Sequence, residues 1–106
     1  MDDLAQLQHR LDATRRNRAD KEPMAFSLVL VGPGLWAHYH LTPETVESHA
    51  HAVGPLEGHA VVMTHPAVLR ALLREKLTTE EATETGLFAV SGNDVRPVQK
   101  AFDATF

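Results

Sequence analysis

Residues 64–93 read THPAVLRALLREKLTTEEATETGLFAVSGN, and three kinds of structural signal follow one another in this stretch. Val68, Leu69, Leu72, Leu73 and Leu77 recur at the three-to-four spacing of one helix face, with Arg70, Arg74 and Glu75 turned away from it. Pro66 falls in the first turn, where a missing amide hydrogen costs nothing because the first amides of a helix have no partner inside it. Thr78 with Glu81 three residues later makes a capping box, in which each side chain bonds the other's backbone amide, so a second short helix starts there. Gly86 ends it. Leu87-Phe88-Ala89-Val90 is a short apolar run closed by Ser91-Gly92-Asn93, the pattern of a buried strand and a turn.

Upstream, Met24 to Val31 is apolar on both alternating faces and predicts a strand covered on both sides. Gly32-Pro33-Gly34 is a turn, and Leu35 to Leu41 and Val46 to Val53 flank a second turn at Thr42-Pro43-Glu44, giving an antiparallel meander. The loop Val53-Gly54-Pro55-Leu56-Glu57-Gly58 and a short strand from His59 to Met63 lead into the opening stretch. At the N-terminus, Leu4, Leu7 and Leu11 share a helix face. Acidic Asp2-Asp3 precede it, Arg15, Arg16 and Arg18 follow, and Lys21-Glu22-Pro23 ends it. The arginines read as a solvated helix end rather than a nucleic-acid or headgroup contact, because their surroundings are not basic. Downstream, Asp94 caps a final helix whose apolar face is Val95, Val98, Phe102 and Phe106, with Pro97 in its first turn, so Phe106 is expected to be packed or lipid-facing.

The succession Lys76-Leu77-Thr78, Ala82, Gly86-Leu87, Val90 and Gly92-Asn93 resembles the C-terminal half of the sterol carrier protein 2 family. There a leucine-rich helix, a Lys-Leu with Ser or Thr, an Ala, a Gly, an apolar strand and a Gly-Asp or Gly-Asn follow in that order. The resemblance extends upstream to the strand at Ala25 to Val31 and to Trp36 near the start of the next. It implies an α+β fold, a mainly antiparallel five-stranded sheet with helices packed on one face.

With 106 residues the chain is expected to be one domain, 1–106, with a single core. Hydrophobic residues at 43% and charged residues at 23% are ordinary for a globular protein, and no apolar run suggests a transmembrane segment. A formal charge of −4 gives no general attraction to nucleic acid. The absence of cysteine removes disulfides and thiolate chemistry. Met1-Asp2-Asp3 lacks a secretory pattern, so a cytoplasmic location is expected.

Histidine is the unusual feature. His38 and His40 lie two apart on one strand and His49 and His51 two apart on the next, so all four share a sheet face, with Glu47 among them, if the hairpin turns near Pro43. Tyr39, Leu41, Val46 and Ala50 then point into the core. Imidazoles alone suit zinc, nickel or copper, and clustered ones respond to pH; the plainer reading is the polar face of a sheet. No residue is therefore assigned as a metal ligand. Nucleophilic catalysis finds no support: Ser27, Ser48 and Ser91 lack a Gly-x-Ser-x-Gly elbow, and adjacent Ser48 and His49 face opposite sides of a strand. Glu80-Glu81 belongs to a cap and a solvated helix face. Gly32-Pro33-Gly34 lacks the rest of a dinucleotide loop, and no phosphate-binding lysine motif occurs. No enzyme activity and no cofactor are expected.

The resemblance implies an apolar cavity between sheet and helices for lipids such as sterols, fatty acyl chains or acyl-coenzyme A. It also implies bacterial relatives that assist prenyl-quinone synthesis or are attached to transcription regulators. Phe26, Leu28, Tyr39, Leu72, Phe88, Phe102 and Phe106 are the bulky apolar residues offered for such a ligand, and plain core is the competing role for each. The expected function is non-enzymatic binding or transfer of a hydrophobic small molecule, with contact to a protein partner as the alternative.

Overall fold

The computed structural model describes residues 3–16, 23–42, 45–93 and 95–106. The chain runs α1 (Asp3–Arg16), β1 (Met24–Leu30), β2 (Leu35–Leu41), β3 (Val46–Ala52), β4 (Ala60–Thr64), α2 (Pro66–Leu73), α3 (Thr79–Glu84), β5 (Phe88–Ser91) and α4 (Val95–Thr105). The expected helix stop at Lys21 and Glu22, the turn residues Pro43 and Glu44, the Asp94 cap and the Arg15, Arg16, Arg18 and His51 side chains lie outside the described residues.

The five strands are ordered β3-β2-β1-β4-β5. β1, β2 and β3 form the expected antiparallel meander, but β1 and β4 pair in parallel, with Phe26 opposite Ala60 and Leu30 opposite Thr64. The sheet is therefore mixed rather than mainly antiparallel. The reason lies in the route from β3 to β4. The chain leaves an edge strand and must pass over β2 and β1, about 14 Å sideways at the usual strand spacing. The eight-residue step from Ala52 to Ala60 spans that distance diagonally, and the chain enters β4 running in the direction of β1.

That crossing is a strap held down by the strands beneath it. Ser27 and His38 are register partners on β1 and β2. The His38 Nε2–H donates to the Gly54 carbonyl at 2.6 Å, and the Leu56 amide donates to the Ser27 hydroxyl at 2.7 Å. Ser27 is fully buried as a result, and five successive β1 residues from Phe26 to Leu30 are buried, so β1 is covered on both faces as its sequence requires.

The helices pack on the other face. Leu4, Leu7 and Leu11 of α1, Val68, Leu69, Leu72 and Leu73 of α2, Ala82 of α3, and Val98 and Phe102 of α4 join Phe26, Leu28, Tyr39, Val62 and Phe88 of the sheet in one core cluster. α2 ends at Leu73, one turn before the expected Leu77. Glu75 takes a left-handed φ of 60°, Lys76 N–H reaches Ala71 O at 2.9 Å, and Glu75 N–H reaches Leu72 O at 3.1 Å. This is the two-bond closure that glycine usually makes, here built on a glutamate. Leu77 nonetheless packs against the core from the loop. α3 starts as expected, its Thr78 hydroxyl accepting from Glu81 N–H at 3.1 Å while the Glu81 carboxylate accepts from Thr78 N–H at 3.2 Å. It closes on Gly86 at φ 76°, with Leu87 N–H bonded to Ala82 O.

Candidate ligand-binding site

Six of the seven apolar candidates fill the space between sheet and helices. Phe26, Leu28, Tyr39, Leu72 and Phe102 have no exposed surface and Phe88 has 2%. Phe26 stacks on Tyr39 with centroids 5.1 Å apart, and Phe102 meets Phe26 and Phe88 at 5.4 Å each, ordinary contact distances for packed rings. The Tyr39 hydroxyl donates to Leu4 O at 3.0 Å, so the one polar atom among these side chains is satisfied inside the core.

Phe106 is different. It is half-buried, 6.0 Å from the Phe102 ring, and lines an open cleft of about 530 Å³ between α3 and α4. Thr78, Thr79, Glu80, Thr83 and Glu84 form one wall, with Gln99 and Asp103 on the other. The walls are tied together by the Thr79 hydroxyl, which donates to Asp103 Oδ1 at 2.7 Å, and by Gln99 Nε2, which donates to the same oxygen at 3.1 Å. Of the seven candidates, the cleft includes Phe106. Of its polar walls, the sequence marks Thr78 as a cap and Glu80 as part of a cap and solvated helix face, neither as a site; Thr79 with Thr83 and Gln99 with Asp103 each stand four apart, the spacing that places both on one helix face.

On the helix face of the sheet, Tyr39, Leu41 and Val46 are buried in the core as expected, whereas Ala50 is exposed. His38 pairs with His49 and His40 with Glu47 in register, which puts all four on the strap face. The His40 and His49 rings meet edge to face at 5.9 Å, while His38 is engaged by the strap. No group of three or more metal-ligating side chains forms among the described residues. Ser48 faces α1, where its hydroxyl bonds the Gln8 side chain, and so points away from His49 as alternation requires.

The fold, a mixed sheet in the order β3-β2-β1-β4-β5 with helices on one face and a strap on the other, is similar to that of sterol carrier protein 2-like proteins. Palmitated SCP2L2 from Aedes aegypti superposes with a TM-score of 0.67 at 19% identity, over 93% of this chain and 87% of that one. The UbiJ-SCP2 ubiquinone synthesis protein gives 0.62 at 15% identity, over 96% and 85%. A double mutant of the sec-alkyl sulfatase PisA1 gives 0.69 at 18% identity, but this chain covers 91% of itself and spans only 14% of the sulfatase. At these identities the likeness is one of fold. No protein-family model and no curated protein matches the chain. No helix among the described residues is long and apolar enough to cross a membrane.

Proposed function

We propose that the chain binds a small hydrophobic molecule carrying a fatty acyl, sterol-like or prenyl-type chain, without chemically changing it. The α3–α4 cleft is the entrance. The observation that carries this reading is the unbroken series of rings from Phe106 at the cleft to Phe102, Phe88 and Phe26 within the core. An apolar chain seated in the cleft lies against Phe106, and the Phe102 ring behind it joins that surface to Phe88 and Phe26. The volume of about 530 Å³ lies within the usual range for ligand pockets. A fold neighbour whose structure is of a palmitated protein supports the ligand class. Native mass spectrometry of the purified chain tests the reading: a co-purifying lipid is expected, and Phe106→Ala should lower its occupancy. A lipid-free protein that also fails to bind the neutral dye Nile red would refute it.

One observation favours a second reading, an assembly module acting by protein contact: the same fold forms a small part of a much longer sulfatase chain. A stoichiometric protein partner recovered from the native host with no lipid bound would favour this reading over the first.

A further inference from the structure

The site proposed above consists of a cleft with an aromatic floor, and its walls carry a chemical bias of their own. Three carboxylates, Glu80, Glu84 and Asp103, line the cleft, and no Lys, Arg or His is among its lining residues. Asp103 lies in the last turn of α4, where the helix end already carries negative partial charge. Lys76 and Lys100 are exposed and outside the lining. Arg10 does approach the Phe106 ring, at 5.3 Å, but its guanidinium is committed to Leu73 O, Thr105 O and the Glu75 carboxylate.

The side-chain hydrogen-bond donors of the cleft are engaged as well. The Thr78 hydroxyl donates to the Glu81 carboxylate at 3.0 Å, Thr79 to Asp103 at 2.7 Å and Thr83 to Thr79 O at 2.7 Å, while Gln99 directs an amide hydrogen to Asp103 at 3.1 Å. A hydroxyl has one proton to give, so the exposed Thr78 and Thr83 hydroxyls have only lone pairs left for an incoming group. Acceptors and negative charge thus dominate the mouth of the cleft, with aromatic carbon below.

We infer that the α3–α4 cleft selects an amphiphile whose head donates hydrogen bonds and carries no negative charge, an alcohol or a protonated amine, and disfavours the chain-matched carboxylate. This rests on the binding reading above and adds the class of head group. A carboxylate head would meet three like charges with few side-chain donors to offset them. An alcohol or ammonium head would find carboxylate and hydroxyl oxygens ready to accept.

The test is competition against Nile red on delipidated protein, with dodecanol, dodecylamine and dodecanoate below their aggregation limits. Dodecanoate is expected to compete about tenfold more weakly than dodecanol at low salt, and the gap should narrow near 0.5 M salt, where the screening length falls to a few Å. Replacing Glu80→Gln and Glu84→Gln together should raise dodecanoate binding towards that of dodecanol; both side chains are exposed, so the fold is spared. Glu57→Gln, an equal change per site on the strap, should leave the ratio unaltered, which separates a local effect from net charge. If dodecanoate competes as well as dodecanol, or the double variant leaves the ratio unchanged, the head-group inference is overturned while the binding reading stands. If Nile red itself does not bind and none of the three chains is retained in native mass spectrometry, the binding reading falls and takes this inference with it.

Discussion

Arg10→Ala should destabilise the protein although the side chain is one-third exposed, because this residue ties three helices together. From α1 its guanidinium donates to Leu73 O, at the end of α2, and to Thr105 O, at the end of α4, both at 3.1 Å. Carbonyls at a helix C-terminus lack partners within the helix, and a cation there also meets the favourable end of the dipole. With the side chain 33% exposed, each charge-assisted bond is discounted for solvent to about 1 kcal/mol. Stacking on Phe106 adds about 0.5 kcal/mol. The Glu75 carboxylate, 3.6 Å away and 79% exposed, contributes little. Loss of about 2.5 kcal/mol corresponds to a fall in Tm of about 11 °C for a chain of this size. Urea denaturation followed by circular dichroism measures it. Arg10→Lys should lose most of the same amount, since one ammonium cannot serve two carbonyls in the geometry of a fork, whereas Glu75→Gln should cost under about 0.5 kcal/mol. If Glu75→Gln proved as costly as Arg10→Ala, the surface ion pair rather than the double helix closure would be the source of stability, and the reasoning would be wrong.

Thr78→Ala removes the acceptor of the α3 capping box and should cost about 1 kcal/mol, with faster amide hydrogen exchange confined to residues 79–86; uniform acceleration across the protein would contradict a local cap. Micromolar zinc should leave Tm unchanged, because among the described residues His38 is held by Gly54 and His40 with His49 offers two ligands where zinc takes four. A rise of several degrees that disappears in His40→Ala but persists in His9→Ala would establish a metal site on the strap face.

What the sequence revealed and what it hid divide along the range of the interactions. The Thr78 and Glu81 cap and the Gly86 closure were legible because each is decided within four or five residues. The burial of β1 on both faces could be read from its unbroken apolar run, even though what covers it, helices on one side and a seven-residue strap on the other, could not. The parallel pairing of β4 stayed hidden because it depends on the route of that strap. The end of α2 was misplaced for a different reason: Glu75 adopts a conformation that its side chain disfavours, so the usual glycine marker is missing. For the site, the seven apolar residues were identified by bulk alone, and bulk does not separate Phe102 in the core from Phe106 at the cleft. The polar walls escaped because Thr79 and Asp103 are 24 residues apart and meet only when α3 and α4 face each other.

The helices that flank the cleft are not anchored equally, and this bears on how a chain-bearing ligand would reach the inner rings. α2 buries Val68, Leu69, Leu72 and Leu73, and α4 buries Val98, Phe102 and Thr105, whereas α3 buries only Thr79 and Ala82. Each large apolar side chain removed from water stabilises its element by about 1.5 to 3 kcal/mol, and α3 contributes none. At six residues it is also too short to be helical by its own propensity, so its place depends on its two caps and the Thr79–Asp103 hydrogen bond. Displacing α3 therefore costs less than displacing α2 or α4. α3 packs against β5 and α4, the elements that carry Phe88 and Phe102, and it takes part in no strand pairing, so its displacement leaves the sheet and the strap on the far side in place.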